Sequence, residues 1–423
     1  MKFCNLSSST KERAKIVMKK ITSFRSNSNK STDSTFQNSE LGNSGFTSQN
    51  ISDTIYSPSS KTEKSPLPGF SKSPKNLRIF TYPELKSAMK NFSRSTMIGE
   101  GGFGGVYRGT IQSSDDPETK IEIAVKQLNS NSFQGHKEWL AEVSILGVAE
   151  HPNLVKLIGY CAGDNERGQQ RLLVYEYMPN KTVERYLLSK SQAILSWPAR
   201  LKIALDSARG LTYLHEEMED QIIFRDFKTS NILLDGDWNA KLSDFGFARY
   251  GPSDGKSHVS TMARGSHGYI SPDYVQSGRL TVKSDVWSYG VVLFELITGR
   301  APIDMNRPKG ETRMLEWIKP YLSNQEDIRH IVDKRLKEQY CLKSVQKLTM
   351  IAIKCLSRRP KSRPKMSKVL EMVQEAFDVI EMTPQPPLLI MDTKIVSQKS
   401  EEKEEKKISL KIKMKFLYLI LGC

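Results

Sequence analysis

The alternation of hydrophobic and polar positions separates the chain into a first part rich in predicted strands and a second part rich in predicted helices. Short alternating runs, which are typical of strands, occur in "MIGEGGFGGVYRGTI", "IEIAVKQL", "NLVKLIGYC" and "RLLVYEYM", with one helical segment, "HKEWLAEVSILGVAE", among them. After Met178 the apolar spacing becomes that of long amphipathic helices, as in "WPARLKIALDSARGLTYLHEEM", "SDVWSYGVVLFELITG" and "SVQKLTMIAIKCLSRRP". This order predicts an α+β fold with two lobes, the first built on a sheet with one main helix and the second helical.

The two ends of the chain lack this periodicity. Ser, Thr, Asn and Lys dominate the first part, where burial is too small to offset the entropy of ordering, so we predict disorder there. Thr81 and Glu84 frame a short capped helix at the start of the periodic sequence. We therefore divide the chain into a disordered basic region at residues 1–79, a short extension of the first lobe at 80–91, the main domain at 92–379 and an irregular charged tail at 380–423.

The charge and the cysteines narrow the class of protein. A formal net charge of +16 favours anionic partners such as nucleotides, acidic lipid surfaces or nucleic acid. The five cysteines are dispersed without a C-x-x-C pair, which is typical of free thiols and not of a disulfide framework or a zinc site. No apolar run reaches the roughly 18 residues of a spanning helix, and the N-terminus has no apolar core of a secretion signal. We therefore expect a chain on the cytoplasmic side of the membrane.

A glycine-rich segment is the first candidate for chemistry. In "IGEGGFGGV" the spacing is Gly99-x-Gly101-x-x-Gly104, and glycine lets a backbone approach phosphate closely. Dinucleotide-binding folds share this spacing, but there a helix follows, whereas here "VYRGTI" is strand-like, so we predict a β-hairpin closing over a ligand. Lys126, at the end of "IEIAVK", is then placed to pair with nucleotide phosphates, and Glu142 on the next helix could hold it.

The stretch "IIFRDFKTSN" contains an acid, a base and an amide within six positions. Asp226 could accept a proton from a hydroxyl substrate, Lys228 could neutralise charge on a moving phosphoryl group, and Asn231 could bind a metal ion. Further on, Asp244 in "KLSDFGFAR" is a hard oxygen donor of the type that Mg²⁺ prefers. Any one of the four fits a solvated turn; all four in this order after the glycines and Lys126 indicate phosphoryl transfer.

In this order the glycine loop, the "IAVK" lysine, "RDFKTSN" and "DFG" resemble the eukaryotic protein kinases over about residues 92–377. The resemblance implies the bilobal protein kinase fold, with ATP and Mg²⁺, or alternatively Mn²⁺, as cofactors. It implies that Asp226 is the catalytic base, assisted by Lys228, and that Asn231 and Asp244 hold the metal. It assigns ATP binding to the glycine loop, to the strand and helix that follow, and to a gatekeeper with its hinge: Ile98, Gly99, Glu100, Gly101, Gly102, Phe103, Gly104, Gly105, Val106, Ala124, Lys126, Glu142, Tyr175, Glu176, Tyr177 and Met178.

A narrower resemblance lies in "FTYPELKSAMKNFS", "GHKEWLAEV", "HPNLVKLIGYC", "IIFRDFKTSNILLD" and "SHVST". These segments are similar to plant receptor-like cytoplasmic kinases of subfamily VII. The resemblance implies a serine/threonine protein kinase, for which Lys228 is typical. It also implies protein substrates, upstream receptor kinases at the plasma membrane and a role in immunity or development.

The same resemblance implies a switch and three structural residues. Kinases with an arginine before the catalytic aspartate, here Arg225, are typically switched by phosphorylation of the activation loop, because added phosphate pairs with that arginine. Ser260 and Thr261 match the phosphorylated positions and Ser257 and Ser266 are lesser candidates; the alternative is that these hydroxyls stay unmodified. Asp285 resembles the aspartate that braces the catalytic loop, and Arg363 the arginine that binds the segment after the activation loop through Asp273.

Several positions depart from the family pattern. Phe224 replaces the usual histidine, and we expect its ring to pack against Phe245, so we do not interpret it as decay. Ser271 and Asp273 replace the usual alanine and glutamate; because aspartate is one methylene shorter, we expect a stretched ion pair with Arg363 and reduced activity. Gly105 adds a glycine that should loosen the nucleotide loop. An inactive kinase-fold scaffold is the alternative function, supported by this "SPD" segment alone.

The N-terminal region contains a candidate membrane anchor. Cys4 precedes the basic segment "KERAKIVMKKITSFR", whose apolar residues fall on one helical face. Basic charge with a palmitoyl group on Cys4 would suit the anionic cytoplasmic face of the plasma membrane, whereas Lys2 excludes myristoylation. The alternatives are a basic disordered arm or a nuclear-import patch, which would place the protein in the cytoplasm or nucleus. A nucleic-acid-binding function rests on charge alone, with no aromatic platform, and is not expected.

Overall fold

The computed structural model describes residues 77–101, 104–113, 116, 118–128, 133–165, 168–188, 193–253, 255–324, 326–381 and 389–391. They belong to one compact unit, Asn76–Cys423. The predictions for Cys4 and the rest of residues 1–76, for Gly102 and Phe103, and for the tail beyond residue 391 lie outside the described residues. Within the described ranges, no helix is long and apolar enough to cross a membrane.

The first lobe is a six-stranded sheet with the order β1-β5-β8-β4-β3-β2. All neighbouring strands are antiparallel except β1 and β5. A short hairpin, β6 and β7, links β5 to β8. The strands are β1 (Arg78–Ile79), β2 (Met97–Gly101), β3 (Gly104–Gln112), β4 (Lys120–Leu128), β5 (Leu157–Cys161), β6 (Asp164–Asn165), β7 (Gly168–Gln169) and β8 (Arg171–Glu176).

One face of this sheet is covered by the N-terminal extension. Helix α1 (Tyr82–Ala88) has the predicted capping box, in which the Thr81 side chain accepts from the backbone of Glu84 and the Glu84 side chain accepts in return. Phe80, Leu85 and Met89 bury their side chains against the alternate residues of β3, β4, β5 and β8 that point to this face. The extension is therefore an integral layer of the first lobe.

The other main element of the first lobe is helix α2 (Phe133–Leu146). It packs on the sheet through Trp139, whose indole Nε1 donates to the Leu172 carbonyl oxygen at 3.2 Å. The ring of Trp139 also meets Tyr160 edge-on, with 5.4 Å between the ring centroids. This packing turns Glu138 and Glu142, one helical turn apart, towards the rest of the domain, and both are buried.

The second lobe is built on helices around α6, whose residues are almost all buried. Helix α8 packs on α6, and α9 packs on α4 and α8. The amphipathic spacing predicted helices here, and N-caps at Ser196 and Thr281 start α4 and α6. The helices are α3 (Val183–Leu188), α4 (Trp197–Thr212), α5 (Pro272–Ser277), α6 (Val282–Thr298), α7 (Met314–Ile318), α8 (Leu342–Cys355) and α9 (Met366–Glu381).

Short strand pairs and single helical turns complete the second lobe. The strands pair antiparallel as β9 (Ala193–Leu195) with β16 (Leu389–Met391), β10 (Ile222–Ile223) with β13 (Arg249–Tyr250), β11 (Ile232–Leu234) with β12 (Ala240–Leu242), and β14 (Val259–Ser260) with β15 (Arg279–Leu280). Strand β16 lies in the segment that we predicted as an irregular tail. The sheet-rich first lobe and helical second lobe confirm the predicted α+β, two-lobed fold.

Candidate active site

The glycine segment forms the predicted β-hairpin as far as it is described. Gly99 pairs with Val106, Glu100 with Gly105 and Gly101 with Gly104 across β2 and β3. Gly104 has φ of +137°, and a Cβ there would lie 1.8 Å from the Gln127 carbonyl oxygen, so only glycine fits. The extra glycine, Gly105, has a packing role: a Cβ would lie 2.8 Å from the Tyr107 hydroxyl oxygen.

Lys126 links the two lobes by ion pairs. Its Nζ lies 2.8 Å from Glu142 Oε1 on α2 and 2.7 Å from Asp244 Oδ1 in the second lobe. Burial disfavours the ammonium, but the two carboxylates outweigh it and raise the pKa of Lys126 above its ordinary value. Partial burial acts to raise the pKa of the Asp244 carboxyl, but the charge and hydrogen bond of Lys126, together with the charge of Lys228, lower that pKa below its ordinary value. The site therefore holds one fixed cation between two carboxylates.

Tyr175 and the residues after it line the connection between the lobes. The Tyr175 hydroxyl donates a short hydrogen bond to Glu142 Oε2, so the predicted gatekeeper supports the same carboxylate that binds Lys126. Tyr175 is paired with Ala124 across β8 and β4. The Glu176 carboxylate binds Lys241 Nζ at 2.9 Å, which ties the hinge to the second lobe. Tyr177 follows with its ring under an arginine guanidinium, and buried Met178 completes the segment.

Asp226 lies at the centre of a hydrogen-bonded cluster. Its Oδ1 accepts from the backbone nitrogen and the hydroxyl of Ser266, both at 2.8 Å. Lys228 Nζ lies 3.0 Å from Asp226 Oδ2 and donates to the Ser266 hydroxyl at 2.6 Å. The structure thus brings together the acid and the base predicted from "RDFKTSN", and adds the hydroxyl of Ser266 from a distant segment.

Asn231 and Asp244 provide oxygen donors beside this cluster. Asn231 Nδ2 donates to the Asp226 carbonyl oxygen at 2.9 Å, which leaves its Oδ1 free of that bond and able to bind a cation. Asp244 is held in the left-handed region with φ of +66°, a strained conformation that directs its carboxylate towards Lys126. The described residues contain no group of three or more acids, histidines and cysteines fit for a metal. One carboxylate with one amide suits a divalent ion that takes its other ligands from phosphate and water.

The carboxylate of Asp285 on α6 anchors the loop that carries Asp226 by hydrogen bonds to its backbone. Asp285 Oδ2 accepts from the Phe224 backbone nitrogen at 2.7 Å and lies 2.8 Å from His215 Nε2, while Oδ1 accepts from the Arg225 backbone nitrogen at 2.7 Å. Arg225 itself has φ of +75°. Three bonds to one fully buried carboxylate can hold this strained backbone in place.

Phe224 contacts Phe245 as we predicted. The two rings meet edge-on with 4.9 Å between centroids, and both side chains are fully buried. An aromatic side chain at this position therefore packs the loop that carries Asp226 against the segment that carries Asp244.

The expectation of a stretched Arg363–Asp273 pair is wrong. Arg363 Nη2 lies 2.5 Å from Asp273 Oδ1. The guanidinium is fixed by carbonyl oxygens of Ser357 and Lys283, each at 2.8 Å, and the first turn of α5 places the carboxylate beside it. The position of the helix, and not the length of the side chain, sets the distance. The hydroxyl of Ser271, by contrast, is buried without a hydrogen-bond partner among the described residues.

The predicted phosphorylation positions are separated in the structure. The Thr261 hydroxyl accepts from Arg225 Nη2 at 3.3 Å. Ser260 is exposed on β14, and Ser257 is exposed with its hydroxyl 3.1 Å from a histidine ring. Ser266 contacts Asp226 and belongs to the hydrogen-bonded cluster around it. Of the predicted positions, Thr261 is thus the hydroxyl that contacts Arg225.

Two features of this region were missed by sequence reasoning. Buried Glu295 on α6 accepts from the Thr229 hydroxyl at 3.2 Å and from the Tyr269 hydroxyl at 2.9 Å. These bonds connect the loop that carries Asp226 to the segment before α5. Arg264, in the segment between Asp244 and Asp273 (the activation segment), contacts Gln134 on α2. Neither contact joins residues at a regular spacing in the sequence. The one sequence feature that could have indicated the first contact is Glu295 itself, a glutamate within the apolar run "VVLFELI".

Comparison with known proteins gives consistent matches across most of the chain. Residues 92–373 match the model of a family described as protein tyrosine and serine/threonine kinase. The chain is 58% identical over 362 residues to serine/threonine-protein kinase PCRK1 of Arabidopsis thaliana, covering 85% of this chain and 86% of the relative. It is 59% identical over 345 residues to PCRK2 of the same plant, covering 82% of each. Receptor-like cytoplasmic kinase 176 of Oryza sativa subsp. japonica is 47% identical over 319 residues, which is 74% of this chain and 80% of the relative.

Proposed function

Because the chain belongs to the protein tyrosine and serine/threonine kinase family and its relatives include receptor-like cytoplasmic kinases, we propose that it relays signals from membrane receptor kinases, in immunity or development, by Mg²⁺-dependent phosphorylation of protein hydroxyls. As a serine/threonine protein kinase it uses ATP and a divalent metal ion and acts on proteins. The identity of the metal ion, the roles of the individual residues, the location in the cell and the upstream partner are the parts that we propose.

The observation that carries the proposal is the cluster around Asp226. The carboxylate is fixed by Ser266 and Lys228 at distances of 2.8 and 3.0 Å, so it can accept the proton of a substrate hydroxyl without reorganisation. Lys228 is close enough to neutralise charge on the transferred phosphoryl group. Phosphoryl transfer requires little beyond such positioning and charge stabilisation.

The nucleotide and the metal are assigned to the neighbouring groups. Lys126 would pair with phosphates while Glu142 holds it, and Asn231 with Asp244 would hold Mg²⁺, or alternatively Mn²⁺. A bound divalent ion supplies charge neutralisation for the phosphates. Val106 on β3, Ala124 on β4 and the hinge at Tyr177 would surround the adenine of the nucleotide.

Phosphorylation of Thr261 is the proposed switch, with Ser260 as the second site and Ser257 and Ser266 as lesser ones. A phosphate on Thr261 would meet the guanidinium of Arg225, which already donates to the unmodified hydroxyl at 3.3 Å. The alternative role, an inactive scaffold, is less well supported, because the 2.5 Å contact between Arg363 and Asp273 removes the structural argument for reduced activity.

A comparison of the wild type with the Asp226→Asn variant tests the activity. Both proteins are incubated with labelled ATP, Mg²⁺ and a serine-containing protein substrate. We expect incorporation of phosphate by the wild type and a loss of at least about a hundredfold in the variant, because asparagine cannot accept the proton. Equal incorporation by both proteins would contradict the role of Asp226, and none by either would favour the scaffold.

The proposed location is the cytoplasmic face of the plasma membrane, supported by the net charge of +16 and by Cys4 beside a basic N-terminal segment. A tagged Cys4→Ser variant should shift from the membrane fraction to the soluble fraction. Cys341→Ser, elsewhere in the chain, is the matched control and should not shift. An unchanged distribution of the first variant would refute the lipid anchor.

A further inference from the structure

The activation segment contacts helix α2 through Arg264. The Arg264 Nη1 donates a short hydrogen bond to Gln134 Oε1 in the first turn of α2. Gln134 Nε2 in turn donates to Glu138 Oε1 at 2.6 Å, one helical turn further on. Three side chains thus form a continuous bridge from the segment between Thr261 and Ser266 to the inner face of α2.

The same face of α2 carries the carboxylate that binds Lys126. Glu138 and Glu142 are four residues apart, so they lie one above the other on the helix. Glu142 reaches Lys126 at 2.8 Å, whereas Glu138 lies over Gly246, where an added Cβ would be 3.0 Å from the Glu138 side chain. The position of α2 is therefore fixed by contacts at two successive helical turns. Glu142 binds Lys126, and Glu138 packs against Gly246 of the second lobe.

The charges favour this arrangement. Arg225, Arg249 and Arg264 converge, and burial together with the charges of the other two arginines lowers the pKa of Arg249 below its ordinary value. Glu138 acts in the opposite direction on that guanidinium. The acidic face of α2 thus lies beside a positive cluster in the second lobe.

We propose that Arg264 is a positioning residue that holds α2 against the activation segment through Gln134 and Glu138, and so keeps Glu142 on Lys126 for nucleotide binding. The inference rests on the proposed use of Lys126 to bind ATP. It extends that proposal to a residue outside the groups assigned to the nucleotide and the metal ion.

The test uses Arg264→Met in the full chain, with Arg279→Met, the same substitution at an arginine beyond α5, as the matched control. Arg279 is exposed on β15 and its side chain is outside the catalytic and binding groups. The dissociation constant of an ATP analogue with Mg²⁺ is measured directly. We expect it to rise roughly tenfold for Arg264→Met, to rise less for Arg264→Lys, which can still donate to Gln134, and to be unchanged for the control.

A double-mutant cycle separates positioning from a general loss of structure. Gln134→Ala should weaken nucleotide binding similarly, and the double variant should be no weaker than the single ones, because the bridge is already broken. The KM for the protein substrate should stay unchanged. Additive losses, an effect on the protein substrate KM alone, or a lowered unfolding midpoint with unaltered nucleotide affinity would each overturn the inference.

The binding measurement needs no catalysis, so the two proposals fail separately. A wild type that binds nucleotide but shows no phosphate transfer dependent on Asp226 would contradict the proposed function and leave the positioning result interpretable. An active wild type whose nucleotide affinity is the same after Arg264→Met would overturn the role of Arg264 alone.

Discussion

The carboxyl group of Glu295 lies inside the second lobe with no solvent exposure. One oxygen accepts hydrogen bonds from Thr229 and Tyr269, while Oε2 has no partner among the described residues. Burial raises the pKa of this carboxyl well above its usual range, so the group keeps its proton when an exposed glutamate would have lost it. A single residue therefore links the stability of this region to pH.

The sign of this linkage gives a prediction for Glu295→Gln. Because the pKa is raised in the folded state, the contribution of Glu295 to stability is complete below the unfolded pKa of about 4.3 and is lost as the pH rises towards the folded value. Glutamine does not titrate, so the free energy of unfolding of the wild type, relative to the variant, should fall with rising pH. Urea denaturation at several pH values measures this difference.

The control for this measurement is the exposed Glu316→Gln, whose carboxylate lies 3.9 Å from Arg313 at the surface. The difference in unfolding free energy between Glu316→Gln and the wild type should vary little with pH over the same interval. If the corresponding difference for Glu295→Gln is equally independent of pH, or if the stability of the wild type relative to that variant rises with pH, Glu295 is ionised in the folded protein.

At the scale of elements, the N-terminal extension depends on two glycines of the sheet. A Cβ on Gly159 would lie 1.9 Å from the Arg78 carbonyl oxygen, and one on Gly109 would lie 2.0 Å from the end of the Met89 side chain. The first contact is with backbone, which cannot move aside without shifting β1. Gly159 thus permits β1 to pair with β5, and Gly109 permits the end of α1 to approach β3.

We therefore predict that Gly159→Ala detaches the extension. The variant should lose roughly 1–3 kcal/mol of unfolding free energy, as overpacking generally does. Hydrogen exchange should accelerate at the Phe80 amide, which donates to the Tyr160 carbonyl oxygen at 2.9 Å. Gly163→Ala is the control, since its Cβ would meet only the Cys161 sulfur at 3.7 Å. Equal protection of Phe80 in both variants would contradict the role of Gly159.

Local patterns predicted the elements, and the contacts between distant elements were harder to predict. Thr81 and Glu84 specified the cap of α1 because a capping box is a spacing within one turn. The two-lobed fold, the family and the serine/threonine kinase activity are confirmed. The Arg363–Asp273 distance was predicted wrongly because it depends on where α5 lies, and the Arg264–Gln134 bridge joins residues that no periodicity relates. The residue roles, the phosphorylation sites and the membrane anchor remain predictions.

At the scale of the whole molecule, Lys126 connects the two lobes through ion pairs. Its ammonium pairs with Glu142 in the first lobe and Asp244 in the second, at 2.8 and 2.7 Å. Glu142 is fully buried, and burial raises the pKa of its carboxyl, so its charged form depends on the cation beside it. Lys126, which we propose to bind the nucleotide, is therefore also a structural link between the lobes.

Replacing Lys126 by methionine should expose both roles in one experiment. The variant leaves the Glu142 charge buried without its cation, which should lower the free energy of unfolding by about 3–5 kcal/mol. The double variant Lys126→Met with Glu142→Gln should recover part of this loss, because the amide can still accept from the Tyr175 hydroxyl without a charge. An ATP analogue with Mg²⁺ at about 100 times its dissociation constant should stabilise the wild type by about 2.7 kcal/mol and both variants much less. A double variant no more stable than the single one would exclude the buried charge as the cause, and undiminished stabilisation by nucleotide would exclude Lys126 from phosphate binding.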